Sequence, residues 1–282
     1  MKRNTYAILL LLIAFQFGCD SQPENPKEPK IEEKVIEKTP KEMLKEAYQL
    51  FKEGNDSESI KLAKQVLEIG RETKNDTLIG KALTSLCRNA QRNLDTTKLA
   101  ELSYDLAELA KTSGNKKWLM YRAHQNAEMW RLVGDMDRAE LFYIESMSLS
   151  SEIGAKGMFM IDHFNKSFVS TAKGDFVESE RLITKYYFLR REMDSTTEDA
   201  YGLIALAYLL EQQENYSGAH EVAVVTRRLF KEQNIFPEPP DEKPLLAVES
   251  KVKEELREST YYFLKDNSET ETVTTLLERY LK

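Results

Sequence analysis

At 282 residues, with 31% charged and 41% hydrophobic residues but only 11 Gly and 8 Pro, the chain suits long solvated helices better than a turn-rich sheet. Its formal charge is −7, with the charges interspersed and no long basic run, which argues against nonspecific nucleic-acid binding. Two cysteines, Cys19 and Cys87, make no disulfide framework.

Residues 1–18 carry Lys2 and Arg3, then an apolar run from Tyr6 to Phe17, then Gly18-Cys19. The run is too short for a membrane-spanning helix and fits a signal-peptide core. Gly18 before Cys19 resembles the bacterial lipoprotein cleavage box, with Gln16 and Phe17 departing from its usual leucine and small residue. The resemblance implies cleavage before Cys19, lipidation of its sulfur and a place in the cell envelope, on a leaflet left open. An ordinary secretory signal with an incidental Cys19 is the alternative. Residues 19–40 are rich in Pro, Glu and Lys with little to bury, and read as a disordered tether.

From residue 41 to 235 a turn signal recurs every forty residues: Gly54-Asn55-Asp56, Asn93-Leu94-Asp95, Gly134-Asp135, Gly174-Asp175-Phe176 and Glu214-Asn215-Tyr216. Seven residues before each turn stand Ala47, Cys87, Ala127, Ser167 and Ala207; five after stand Ser59, Leu99, Ala139, Ser179 and Ala219. Small residues at two fixed points beside a turn let antiparallel helices cross closely. This pattern, clearest in Ala127, Trp130, Gly134-Asp135, Ala139 and Tyr143, resembles the tetratricopeptide repeat. That repeat is normally about 34 residues and proline-ended; here it is longer and lacks the proline. Forty-residue forms resemble those in bacterial peptide-sensing regulators and sensor regions of signalling proteins. The resemblance implies an all-α, right-handed α-solenoid of about five antiparallel helix pairs.

Apolar spacing predicts first helices near 41–53, 77–92, 117–133, 158–173 and 197–213, and partners near 56–72, 96–112, 136–152, 176–192 and 216–233. Asp56, Thr96 and Ser217 are expected N-caps. The extra length is expected between repeats, at 70–76, 111–117, 151–157 and 193–199.

Pro237, Pro239, Pro240 and Pro244 end the array. Within 236–282, a long amphipathic helix is expected from Leu245 to Lys265 and a short one from Glu269 to Leu281. Ala247 keeps the repeat register, which leaves a degenerate sixth repeat open. The lack of a turn signal near residue 254 favours a helical cap over the apolar end of the stack.

Chemistry-bearing patterns are few. His124, His163 and His220 form no His-Glu-x-x-His, and there is no phosphate loop or Gly-x-Ser-x-Gly elbow. Cys87 falls in a crossing slot, where burial leaves a thiol inert. His163 is expected to be packed and His124 to lie in the groove or at the surface. The expectation is no enzyme, no metal and no cofactor.

In tetratricopeptide arrays the first helices line a concave face. Carried onto matching positions, the resemblance implies a binding set of Lys81, Arg88, Gln91 and Arg92 in repeat two, and Tyr121, His124, Glu128 and Arg131 in repeat three. Phe164 and Phe168 follow in repeat four, then Tyr201, Tyr208 and Glu211 in repeat five. Arginines hold carboxylates and aromatic rings give contact area with little entropy loss, so a protein or peptide with an acidic and an apolar part would fit. The same residues could instead pack the stack or pair with neighbouring acids. The reading is a membrane-anchored extracytoplasmic scaffold, touching the membrane through its lipid alone and binding no nucleic acid. A ligand-sensing regulatory subunit and a surface nutrient-capture lipoprotein are the alternatives.

Overall fold

A computed structural model describes residues 38–193, 199–235, 237–268 and 270–281. The leader, Cys19 and nearly all of the tether lie outside the described residues. The described chain is all helix in thirteen segments: α1 (Pro40–Lys52), α2 (Asp56–Glu72), α3 (Asp76–Arg92), α4 (Thr96–Ser113), α5 (Lys116–Val133), α6 (Met136–Glu152), α7 (Lys156–Ala172), α8 (Phe176–Glu192), α9 (Asp199–Gln212), α10 (Tyr216–Gln233), α11 (Pro239–Glu255), α12 (Glu258–Ser268) and α13 (Val273–Tyr280). From α1 to α11 neighbours in sequence pack against each other, and α1, α3, α5, α7, α9 and α11 also touch in succession. The result is a two-layer all-α solenoid with the odd-numbered helices forming one layer.

The ten crossing residues sit as the spacing demands. Ala47, Cys87, Ala127, Ser167 and Ala207 are fully buried, and so are Ser59, Leu99, Ala139, Ser179 and Ala219. No residue larger than a leucine occupies these points, so backbones approach closely and the pairs interlock.

The turns differ from expectation in an instructive way. A residue with positive φ recurs at Gly54, Lys74, Leu94, Gly114, Gly134, Gly154, Gly174, Glu214 and Asn234, every twenty residues; position 194 lies outside the described residues. At the five within-pair turns the next residue, Asn55, Asp95, Asp135, Asp175 or Asn215, caps the following helix through its side-chain oxygen. The caps are therefore Asn55, Asp95 and Asn215 instead of Asp56, Thr96 and Ser217. The left-handed residue places its successor's N–H on a carbonyl one turn back, as in Asp95 N–H to Ala90 O at 2.9 Å, and aims that side chain at the new helix. Two of the turns between repeats follow the same capping rule, Asn75 and Asn115 capping α3 and α5, while Ala155 before α7 offers no capping side chain. The extra length is not in loops. It lengthens helices to 17 or 18 residues, as in α2, α4, α6, α8 and α10.

The C-terminal region also departs from the sequence reading. In place of one helix over 245–265, α11 starts at Pro239, with prolines in its first turn, and ends where Leu256 turns extended. Ala247 is exposed, while Leu245, Val248 and Val252 are fully buried, so the small-residue register is lost. α11 and α12 each pack on α10 but scarcely on one another, unlike the pairs before them. α11 also packs on α9 and reaches back to α3.

Candidate functional site: the groove between α3, α5 and α11

Two large apolar cores flank a more polar middle that holds a small third cluster of Ala127, Ala139, Tyr143 and Val169. One joins α2 to α5, the other runs from α7 to α13. Between them α7 buries Asp162, His163, Asn165 and Lys166 alongside Phe164 and Phe168. Asp162, His163 and Lys166 each find a hydrogen-bond partner, which makes their burial tolerable.

Glu128 is the hub. It is fully buried and accepts from Gln91 Nε2 at 2.6 Å, from Arg131 Nη2 at 2.7 Å and from the Tyr143 hydroxyl. Burial alone would raise its pKa, but Arg131, His124 and the Tyr143 hydroxyl outweigh it and hold the carboxyl below its usual range. Beside it, His124 Nδ1 meets Asp162 Oδ1 at 2.7 Å, and Ser146 donates to Asp162 Oδ2 at 2.6 Å. Burial would lower His124, yet the bond and charge of Asp162 raise it above the ordinary imidazole value. Serine and histidine here bind the two oxygens of one aspartate; a hydrolytic triad needs histidine between serine and acid. Cys87 is fully buried and burial pushes its thiol far up, leaving no thiolate.

The predicted residues divide into three groups. Lys81 and Arg88 are exposed; Gln91, Arg92, Tyr121, Arg131, Tyr201, Tyr208 and Glu211 are partly buried; His124, Glu128, Phe164 and Phe168 are buried. His124, expected in the groove or at the surface, is instead locked under it by Asp162. Gln91, Glu128 and Arg131 come together in one network. Arg131 lies over the Phe168 ring at 5.8 Å, and Phe168 meets Phe164 at 5.1 Å and Tyr208 at 5.9 Å. Tyr201 joins this row 6.4 Å from Phe164. Arg92 covers Phe51 at 3.5 Å and pairs with Asp56 at 3.1 Å, and Arg88 covers Tyr48 at 4.9 Å. Tyr121 stacks on Trp118 at 6.1 Å, and the Glu211 carboxylate accepts from Gln212.

Sequence reasoning missed the residues that occupy the cationic end. Glu238 Oε1 stands 3.6 Å from Arg92 Nη2. Burial raises its pKa against the pull of Arg92 and Arg88. Three residues on, Asp241 is pushed up to about 7, chiefly by burial, with Glu128 and Glu238 adding and Arg131 opposing. The acidic turn Glu238-Pro239-Pro240-Asp241 therefore sits at the cationic end of the expected binding set, beside Arg92 and within the field of Arg88 and Arg131. Acidic residues flanking a proline pair were the available signal, and they read only as a helix stop.

In structural comparison the chain is similar to the apo form of RapI, known from its crystal structure: the TM-score is 0.52 at 14% identity, over 78% of this chain and 87% of that one. It has a tetratricopeptide-like fold. No family model matches the sequence, and no curated protein matches it. Among the described residues, no helix is long and apolar enough to cross a membrane, and no group of three or more His, Cys, Asp or Glu side chains is placed to hold a metal.

Proposed function

We propose that this protein is a non-enzymatic binding scaffold whose groove takes an acidic peptide segment of a protein partner. The observation that carries this is the groove's present occupant. The chain's own Glu238 stands 3.6 Å from Arg92, Asp241 three residues on feels the charge of Arg131, and Arg131 itself lies over Phe168 in the aromatic row. A groove that accepts Glu-Pro-Pro-Asp from its own chain offers the same charges and rings to a similar segment from another. The partner and the C-terminal turn would then compete. Release of the turn would free α11 from α3, which also favours a second reading as a ligand-sensing subunit.

Anchoring outside the cytoplasm through a lipid on Cys19 belongs to the same proposal, and it rests on the leader Lys2 to Cys19.

The test is anisotropy of a fluorescent peptide copying residues 237–244, titrated with the full chain. The E238Q/D241N variant, its own turn disarmed, is expected to bind at least tenfold more tightly than wild type. Adding R88E/R92E should abolish the gain. Equal binding by all three proteins would sink the groove reading. Cys19→Ala, expected to move the protein from the membrane to the soluble fraction, tests the anchor separately.

A further inference from the structure

A second cavity, of about 730 Å³, opens where α11 and α12 diverge over α10, and none of its lining residues belongs to the groove. Its floor is apolar and flat. Ala223 and Val224 come from α10, and the His220 ring stacks on Tyr261 of α12 with centroids 4.1 Å apart. The stack is fixed by a 3.1 Å contact from His220 Nε2 to the Tyr261 carbonyl.

The rim is cationic. Lys231, Lys253 and Lys265 come one each from α10, α11 and α12, and no carboxylate among the described residues lies within ion-pairing distance of any of them. Glu249 is the one acid in the lining, and Arg227 engages both of its oxygens at 2.7 Å. The local charge thus stays positive in a chain whose formal net charge is −7. Burial lowers the His220 pKa, and the charge of Lys265 adds to that lowering.

We propose that this cavity binds a small organic phosphate, its phosphate group held by Lys231, Lys253 and Lys265 and its flat or apolar body lying on His220, Tyr261 and Val224. The volume falls in the range of small-molecule sites, about 300–1,000 Å³. Three ammonium groups carried on three different helices suit a tetrahedral dianion. A planar carboxylate would be matched better by a guanidinium fork, and the two in the lining are engaged, Arg227 with Glu249 and Arg228 with the Glu271 carbonyl.

Calorimetry on the full chain at low salt tests this with two sources of the same chemistry. Phenyl phosphate stands for a soluble organic phosphate, and short-chain phosphatidylglycerol below its micelle concentration stands for a lipid headgroup. Inorganic phosphate and short-chain phosphatidylcholine are the controls. At least one probe is expected to bind ten times more tightly than its control, and K253Q/K265Q is expected to lose that advantage with an unchanged thermal midpoint. Preference for phenyl phosphate would assign a soluble ligand, and preference for phosphatidylglycerol a headgroup. Binding that is absent in both arms, indifferent to the lysines, or no tighter than the control in either arm overturns the proposal.

Discussion

Arg92, the last residue of α3, and Glu238, the N-cap of α11, stand 3.6 Å apart although they belong to the second repeat and to the segment after the fifth. That contact places the acidic turn of α11 against the cationic residues of the groove, with Asp241 in the field of Arg131. It also makes the groove's state depend on pH.

The folded-state pKa of Asp241, about 7, lies above its ordinary value of 3.8. Between those values the folded chain holds a proton that the unfolded chain has released. The stability contributed by Asp241 is therefore full below about pH 4, falls as pH rises to about 7, and is flat beyond. Urea midpoints measured from pH 4 to 8 should show this decline, and Asp241→Asn should flatten its share of it. Unchanged slopes in the variant would contradict the assignment.

Glu128→Gln should be the most damaging conservative change in the middle of the stack. It leaves the side chain of Arg131, 9% exposed, without its buried counter-ion. Breaking such a pair costs about 3–5 kcal/mol. Lys61→Gln, removing a surface pair with Glu58 whose lysine is 62% exposed, should cost under about 1 kcal/mol. Chemical denaturation of both variants gives the comparison.

Leu94 and Glu214 adopt positive φ values of 55° and 61° where most other repeats place glycine. Leu94→Gly and Glu214→Gly should each stabilise by about 0.5–1 kcal/mol, since removing Cβ strain outweighs the added unfolded-state entropy. Gly134→Ala, at φ 92°, should do the reverse although its Cβ would meet nothing within 4 Å. Thermal midpoints decide the sign of each.

Gly80 fails for a different reason. A Cβ there would come within 2.4 Å of the Trp118 ring, which is itself 2% exposed and has no room to retreat. Gly80→Ala should destabilise by about 1–3 kcal/mol through overpacking, measured as a drop in urea midpoint.

Cys87 should resist thiol reagents in the native protein and react only as the stack opens. Its labelling rate should follow urea concentration, and immediate reaction in buffer would contradict its burial in the first-helix crossing.

Much of this was legible in the sequence because repeats write the same local physics again and again. Crossing slots from Ala47 to Ala219 were found by spacing, since small residues recur where two helices touch, with Leu99 the one larger occupant. Helix limits fell within a few residues for the same reason. The caps were misassigned by one or two positions, at Asp56, Thr96 and Ser217, because the left-handed residue before each cap is not always glycine. Leu94 and Glu214 hide the twenty-residue beat that Gly134 announces.

What the sequence determined by itself was the element: helix length, crossing point and turn, each set by contacts within a few residues. What only the tertiary structure decided was closure. Whether Glu238 meets Arg92, and whether His124 faces the groove or Asp162, depends on small rotations accumulated from repeat to repeat, and no single repeat encodes their sum.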